Sequence, residues 1–156
     1  MLRIAMETFD ALQPVGDEYA TKPVAEAFAW DVIASELRPE HEWYLVVFRS
    51  VRRAGADEER LTAFDDAAHA EAAAAAGFVH YFKGPTSSDG SCLSFCLWDS
   101  RSEARVASGL PAHRQAVLLI EEMYERYTLE FVRVSHAATT GRGLAFEPYD
   151  ALAATA

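Results

Sequence analysis

The chain has 156 residues, of which 51% are apolar and 24% are charged, and a chain of this size and composition is expected to fold around one hydrophobic core. Acidic residues outnumber basic residues by 24 to 14 and the basic residues are scattered, which argues against binding to nucleic acid or to an anionic membrane surface. No apolar run approaches the ~20 residues of a membrane helix and the first ten residues lack the pattern of a secretory signal, so we expect a soluble, cytoplasmic protein.

The periodic signals divide the predicted single domain into three parts. Residues 1–41 are weakly patterned and form an N-terminal extension, in which Val24 to Leu37 is predicted to be a helix with apolar side chains on several sides. Residues 42–136 carry the strongest periodicity and form the predicted core. Residues 137–156 contain glycine and proline and are predicted to be an irregular C-terminal arm.

The first half of the core reads as strand, helix, strand. Trp43 to Val51 is rich in aromatic and β-branched residues, as is typical of a strand. Asp57 to Ala76 has apolar residues at helical spacing and acidic residues at its start, and Gly77 is expected to end this helix. A second strand is predicted up to Phe82, with Phe78, His80 and Phe82 on one face.

The second half of the core reads as strand, helix, strand. Cys92 to Trp98 is the third predicted strand and forms a hairpin with the second. Ser100 and Glu103 fit a capping box at the start of a short helix. A longer helix is predicted from Pro111 to about Arg126, because proline is favoured in the first helical turn, and Tyr127 to His136 is the fourth strand.

Two stretches near the second helical region carry a family resemblance. They are Trp98 to Ala104 (WDSRSEA) and Leu110 to Ala116 (LPAHRQA). Together with the βαββαβ order, they resemble the antibiotic biosynthesis monooxygenase-like dimeric α/β-barrel superfamily over about residues 42 to 136. The resemblance implies an α+β fold with a ferredoxin-like antiparallel sheet, helices on one face, and a pocket in each subunit.

The same resemblance implies a homodimer in which the open faces of two sheets form a barrel. A physical reason points the same way, because a four-stranded sheet with helices on one side leaves its other face bare and apolar. We therefore expect a second copy of the chain as a partner.

Five aromatic or imidazole residues are candidates for the site. His113 falls on the apolar side of its helix, where it is either a hydrogen-bonded structural residue, a general base, or a ligand of haem iron. His80 lies mid-strand and points to a pocket, an interface or the core. Trp98, Tyr81 and Tyr124 either pack in the core or stack against a flat aromatic substrate.

Metal and disulfide sites are not expected. Cys92 and Cys96 lie four positions apart on one strand, about 13 Å, which is too far for a disulfide or for joint binding of one ion. His41, His69 and His136 are predicted to lie at the ends of elements, and no helix or strand spacing links them as metal ligands.

Three functions therefore remain open from the sequence. The first is a cofactor-independent monooxygenase or isomerase of a planar aromatic or polyketide-like compound, with His113 or His80 removing a proton. The second is a haem-binding or haem-degrading protein with His113 as the axial ligand. The third is a non-catalytic dimeric binding or assembly protein.

Overall fold

A computed structural model describes residues 2–136 and 143–149, with side chains from residue 6 onward. Its centre is one five-stranded sheet in which all neighbouring strands are antiparallel, in the order β2-β3-β1-β4-β5. The strands are β1 (His41–Arg52), β2 (Phe78–Phe82), β3 (Ser91–Trp98), β4 (Tyr124–His136) and β5 (Ala145–Pro148). The helices are α1 (Leu2–Asp10), α2 (Val24–Ala27), α3 (Trp30–Ala34), α4 (Glu58–Ala73), α5 (Arg101–Ser108), α6 (Pro111–Leu118) and α7 (Ile120–Met123).

The predicted helix starts in the core are confirmed. Asp57 caps α4 by accepting a hydrogen bond from the backbone N–H of Arg60. Ser100 caps α5 in the same way through the N–H of Glu103, although the Glu103 carboxylate accepts from the Ser100 hydroxyl rather than from its backbone. Pro111 occupies the first turn of α6.

The predicted long helix from Pro111 to Arg126 is wrong in its second half. The helix ends at Leu118, a short α7 follows, and the chain enters β4 at Tyr124. Tyr124 is paired with Arg52, so β4 runs beside the whole length of β1. Backbone pairing with a central strand therefore outweighs the helical spacing of the local apolar residues.

The predicted single helix from Val24 to Leu37 is also wrong. Phe28 separates α2 from α3 in an extended conformation, with φ −131° and ψ 155°, and forms an isolated bridge with Pro14. Its ring packs 4.9 Å from that of Phe82 and 5.1 Å from that of Phe95. The break places this aromatic ring on the sheet.

The core helices α4, α5 and α6 lie on one face of the sheet, as expected, but the other face is not bare. Residues 6–37, which we call the N-terminal cover, pack across it. The buried residues of this layer include Phe9, Leu12, Tyr19, Phe28, Trp30, Ile33 and Leu37 from the cover, and Trp43, Leu45, Val47, Leu93, Phe95 and Leu97 from the sheet. The expectation of an uncovered apolar face is therefore overturned.

The C-terminal arm contributes a fifth strand rather than an irregular segment. Residues of β5 pair with β4 from Val132 to Ser135. Residues 137–142 and 150–156 of the predicted arm lie outside the described residues. In the part of the chain that the structure describes, every helix is too short or too polar to cross a membrane.

Candidate active site

A cavity of about 450 Å³ lies between the sheet and helices α4, α5 and α6, on the face opposite the N-terminal cover. Helix α6 packs mainly against α4 rather than on the strands, which leaves space above the sheet. The volume is within the range of small-molecule sites. The cavity follows β1 from Tyr44 to Arg52, nine residues whose eight backbone steps span about 26 Å.

One end of the cavity floor is aromatic. Trp98 pairs in the sheet with both Phe78 and Tyr44, and all three side chains line the cavity. The Phe78 and Trp98 rings meet edge to face at 5.6 Å. Phe131 stacks beside Tyr44 with an interplanar angle of 5°. These rings form flat walls suited to a planar ligand.

The other end of the floor carries hydroxyl and thiol groups. Ser50 pairs with Cys92 on one side and with Tyr127 on the other, and the three side chains line the cavity. Tyr124 and Arg52 extend this polar end. Burial raises the pKa of both Tyr124 and Tyr127, so their hydroxyls stay protonated and available as hydrogen-bond donors.

Helix α4 brings a carboxylate and an imidazole to the cavity. Asp65 accepts a hydrogen bond of 3.0 Å from the Tyr81 hydroxyl and lies 3.1 Å from Lys83 Nζ. One turn later, the His69 ring lies 4.5 Å from the Tyr81 ring and 6.1 Å from the Phe78 ring. Burial and the nearby Asp65 carboxylate raise the pKa of Tyr81, so Tyr81 is a neutral phenol here.

His113 also lines the cavity, from the first turn of α6. The Glu71 carboxylate accepts hydrogen bonds from the backbone N–H groups of Ala112 and His113, at 3.0 and 3.1 Å. This contact ties the start of α6 to α4 and so positions the His113 side chain. His69 and His113 therefore bring two imidazoles to the helical side of one cavity.

The aromatic end is bordered by charged groups and by the end of β5. Tyr149 packs edge to face on Tyr44, with ring centroids 5.1 Å apart. The guanidinium groups of Arg101 and Arg133 lie 5.1 and 4.8 Å from the Tyr149 ring centre. Arg101 and Arg105 both line the cavity and supply positive charge at this end.

The two cysteines line the cavity floor as free thiols. Burial raises the pKa of Cys96 to about 12, and it also raises the pKa of Cys92. Cys96 Sγ accepts a hydrogen bond of 3.2 Å from the Trp98 indole N–H. The thiols are therefore held in the protonated form, which is a poor nucleophile.

The structure brings together four of the five predicted site residues. His113, Trp98, Tyr81 and Tyr124 line the cavity, but His80 does not. The register of β2 shifts between Phe78 and His80, which turns them to opposite faces, so the predicted shared face is wrong. His80 instead lies between Phe9 and Phe95, with Nδ1 3.2 Å from Asp10 Oδ1.

Two further cavity residues, His69 and Asp65, were not among the predicted site residues. The expectation that His69 lies at an element end is wrong, because it is inside α4. A signal was present, since Asp65 and His69 are four positions apart and border the apolar stripe of that helix. Among the described residues, no group of three His, Cys, Asp or Glu side chains is placed to hold a metal ion.

Comparison with solved structures supports the fold. Rv0793 from Mycobacterium tuberculosis is similar with a TM-score of 0.51 at 20% identity, over 60% of this chain and 93% of that one. PA3566 from Pseudomonas aeruginosa is similar with a TM-score of 0.50 at 12% identity, over 61% of this chain and 95% of that one. A candidate monooxygenase from Fusobacterium nucleatum gives a TM-score of 0.52 at 12% identity, over 60% of this chain and 44% of that one.

These likenesses confirm the predicted α+β fold with a ferredoxin-like antiparallel sheet. No curated protein matches the chain. At the level of sequence, a family model described as PB2B2.08-like matches residues 2–147. The chain belongs to the PB2B2.08-like family.

Proposed function

We propose that the protein is a cofactor-independent monooxygenase of a planar aromatic or polyketide-like compound and that the cavity is its active site. The observation that carries this proposal is one cavity that combines aromatic walls with the imidazoles of His69 and His113. Imidazole is the side chain best suited to taking up a proton near neutral pH. The fold shared with the Fusobacterium protein, which is itself a candidate monooxygenase, is consistent with this proposal.

The aromatic end of the cavity accounts for the binding of the ring system. Trp98, Tyr44 and Phe78 present ring faces and edges to the cavity, and such surfaces hold a flat ring by stacking and edge contacts. His69 lies beside Phe78, within reach of the edge of a ring bound there. Arg101, at the same end, supplies positive charge that favours an enolate oxygen.

The reaction needs a base and molecular oxygen. For an anthrone, His69 or His113 removes one proton from the ring CH₂ group and leaves an enolate. The enolate carbon transfers electrons to O₂ and forms a C–O bond, giving a peroxide. The peroxide anion takes the proton back from the imidazolium, and removal of the remaining C–H proton with cleavage of the O–O bond then releases water and leaves a quinone carbonyl. One oxygen atom enters the product, the other leaves as water, and the CH₂ carbon of the substrate supplies all four electrons that reduce O₂.

The polar end of the cavity indicates what else the substrate carries. Ser50, Tyr124 and Tyr127 present hydroxyl groups well beyond the aromatic end, along a floor of about 26 Å. A compact ring system fills only part of that length. We therefore expect the substrate to be elongated, with its rings near Trp98 and an oxygen-bearing substituent directed towards Arg52.

Oxygen uptake by purified, metal-free protein tests the proposal. The substrates are a panel of anthrones and hydroquinones, and the variants are His69→Gln, His113→Gln and the double variant. His80→Gln is the matched control, because His80 lies on the opposite face of the sheet. We expect enzyme-dependent uptake that falls at least about a hundredfold in the double variant, as is typical for loss of a general base, and is unchanged in the control.

Two outcomes would contradict the proposal, the first for the identity of the base and the second for the oxygenase activity itself. Uptake that is unaffected in the double variant would show that neither imidazole acts as the base. Absence of uptake across the panel, with ligand binding retained, would favour a non-catalytic binding protein. Addition of haemin tests the remaining alternative, because a Soret band lost in His113→Ala would indicate haem ligation instead.

A further inference from the structure

We propose that the N-terminal cover takes the position that a second copy would occupy, so that the protein is a monomer with a complete site in each chain. The face in question is strongly apolar. Leu45, Val47, Leu93, Phe95 and Leu97 are all 0% exposed on it. A surface of this kind requires a partner, and here the partner is supplied by the same chain.

The cover fits the sheet through interlocked aromatic rings. Phe28 packs against the stacked rings of Phe82 and Phe95, meeting them edge to face at 4.9 and 5.1 Å. Trp30 lies 5.8 Å from Phe95, and on its other side it contacts Phe146 of β5 at 5.0 Å. Rings from three parts of the chain therefore form one packed layer.

Polar contacts from the central strand β1 attach the cover to the sheet. The Arg49 guanidinium donates hydrogen bonds of 2.7 Å to the backbone carbonyls of Ala20 and Lys22. Its third nitrogen, Nε, donates to Glu130 on β4 at 2.8 Å. One arginine therefore joins the cover to both central strands, β1 and β4. Its ion pair with Glu130 lies beside the apolar layer.

This arrangement is incompatible with pairing of the same face between two copies. Two sheets that pack face to face lie about 10 Å apart, which leaves room only for their own side chains. The cover occupies that space. To admit a second sheet it would have to leave, which would expose Phe9, Phe28 and Trp30 to water, residues that are now at most 3% exposed.

The cavity does not need a second copy either. It lies on the opposite face, and its floor and its helical side both come from one chain. The imidazoles of His69 and His113 and the rings around Trp98 are all supplied internally. Neither the apolar face nor the cavity therefore requires the homodimer that the family resemblance implies.

The solution mass of the full chain tests this inference directly. We expect a mass near 17.2 kDa by light scattering and by sedimentation velocity, constant over about a hundredfold range of concentration. A mass of twice that value throughout the range would overturn the inference. This result does not depend on whether the protein has oxygenase activity.

A double variant tests whether the cover is the cause. Phe28→Ala with Arg49→Gln weakens the cover, and we expect its mass to rise with concentration while the wild type stays monomeric. The matched control is Phe64→Ala with Arg60→Gln, which changes the same residue types on α4. Equal self-association in both double variants would contradict the inference that the cover prevents pairing of two copies. If circular dichroism shows that the first double variant does not fold, the mass of the wild type alone decides.

Discussion

The hydroxyl of Tyr81 donates a hydrogen bond of 3.0 Å to Oδ1 of Asp65, and so joins the edge strand β2 to helix α4. The same carboxylate lies 3.1 Å from Lys83 Nζ. The contact fixes the face of α4 that carries His69, whose ring packs on Tyr81. A hydrogen bond between a half-buried phenol and a carboxylate therefore orients the candidate base.

Replacement of Tyr81 by phenylalanine removes this hydrogen bond and leaves the ring in place. Hydrogen bonds to charged acceptors contribute about 1.5–3 kcal/mol, and partial exposure of Asp65 reduces the effect, so we expect the free energy of unfolding to fall by about 1–2 kcal/mol. Urea titration measures the loss. A cycle with Asp65→Ala should show coupling of similar size, and simple additivity of the two changes would argue against the contact.

The polar end of the cavity predicts selective loss of affinity for elongated ligands. Ser50→Ala and Tyr127→Phe each remove one hydroxyl from that end, which is worth about 1 kcal/mol or about fivefold in affinity. We expect this loss for an anthraquinone with a hydroxylated side chain and no loss for anthraquinone itself. Ser108→Ala, at the aromatic end, is the control. Equal losses for both ligands would contradict the proposed orientation.

The cavity thiols are expected to be unreactive in the folded protein. With the pKa of Cys96 raised to about 12 by burial, this thiol is almost entirely protonated at pH 8. We expect little reaction with Ellman's reagent under native conditions and release of two equivalents in guanidinium chloride. Rapid native labelling of Cys96, identified by mass spectrometry, would show that the floor of the cavity is open to water.

The buried His80 makes the cover sensitive to acid. Burial between Phe9 and Phe95 lowers the pKa of His80 below its ordinary value of 6.5, and the nearby Asp10 opposes this shift only in part. The unfolded chain then binds a proton more readily than the folded chain, so this histidine costs stability as the pH falls through 6.5.

Urea titrations at pH 7 and at pH 5 test this effect. We expect His80→Gln to lose less stability than the wild type over that interval, because the variant has no imidazole to protonate when it unfolds. Ser108→Ala, which changes no titratable group, serves as the control and should lose as much as the wild type. The same loss in His80→Gln and in the wild type would show that His80 does not contribute.

The order of the core elements could be predicted from local patterns. Caps such as Ser100 and Asp57 and the proline at position 111 act within a few residues, so they mark helix starts without reference to the rest of the fold. Alternation of apolar residues likewise indicated β1 and β3. The resemblance carried by residues 98–116 added the topology.

Other features were decided by contacts between distant segments. Tyr124 was predicted in a helix but lies in a strand, because β4 pairs with β1. The predicted helix from Val24 to Leu37 is interrupted at Phe28, because this residue packs on the sheet. Because the register of β2 shifts between Phe78 and His80, His80 faces the cover and Phe78 faces the cavity. A one-residue change of register moves a side chain to the opposite face of the sheet, and this change cannot be predicted from the spacing of apolar residues along the strand.

The candidate site shows the same division between local and distant causes. The sequence by itself determined that aromatic and imidazole groups lie on the elements of the core, including Trp98 and His113. Only the tertiary structure decided that His69 joins His113 and that the N-terminal cover fills the second face. Helical and strand periodicity define the faces of an element, but packing between elements far apart in the chain determines what each face contacts.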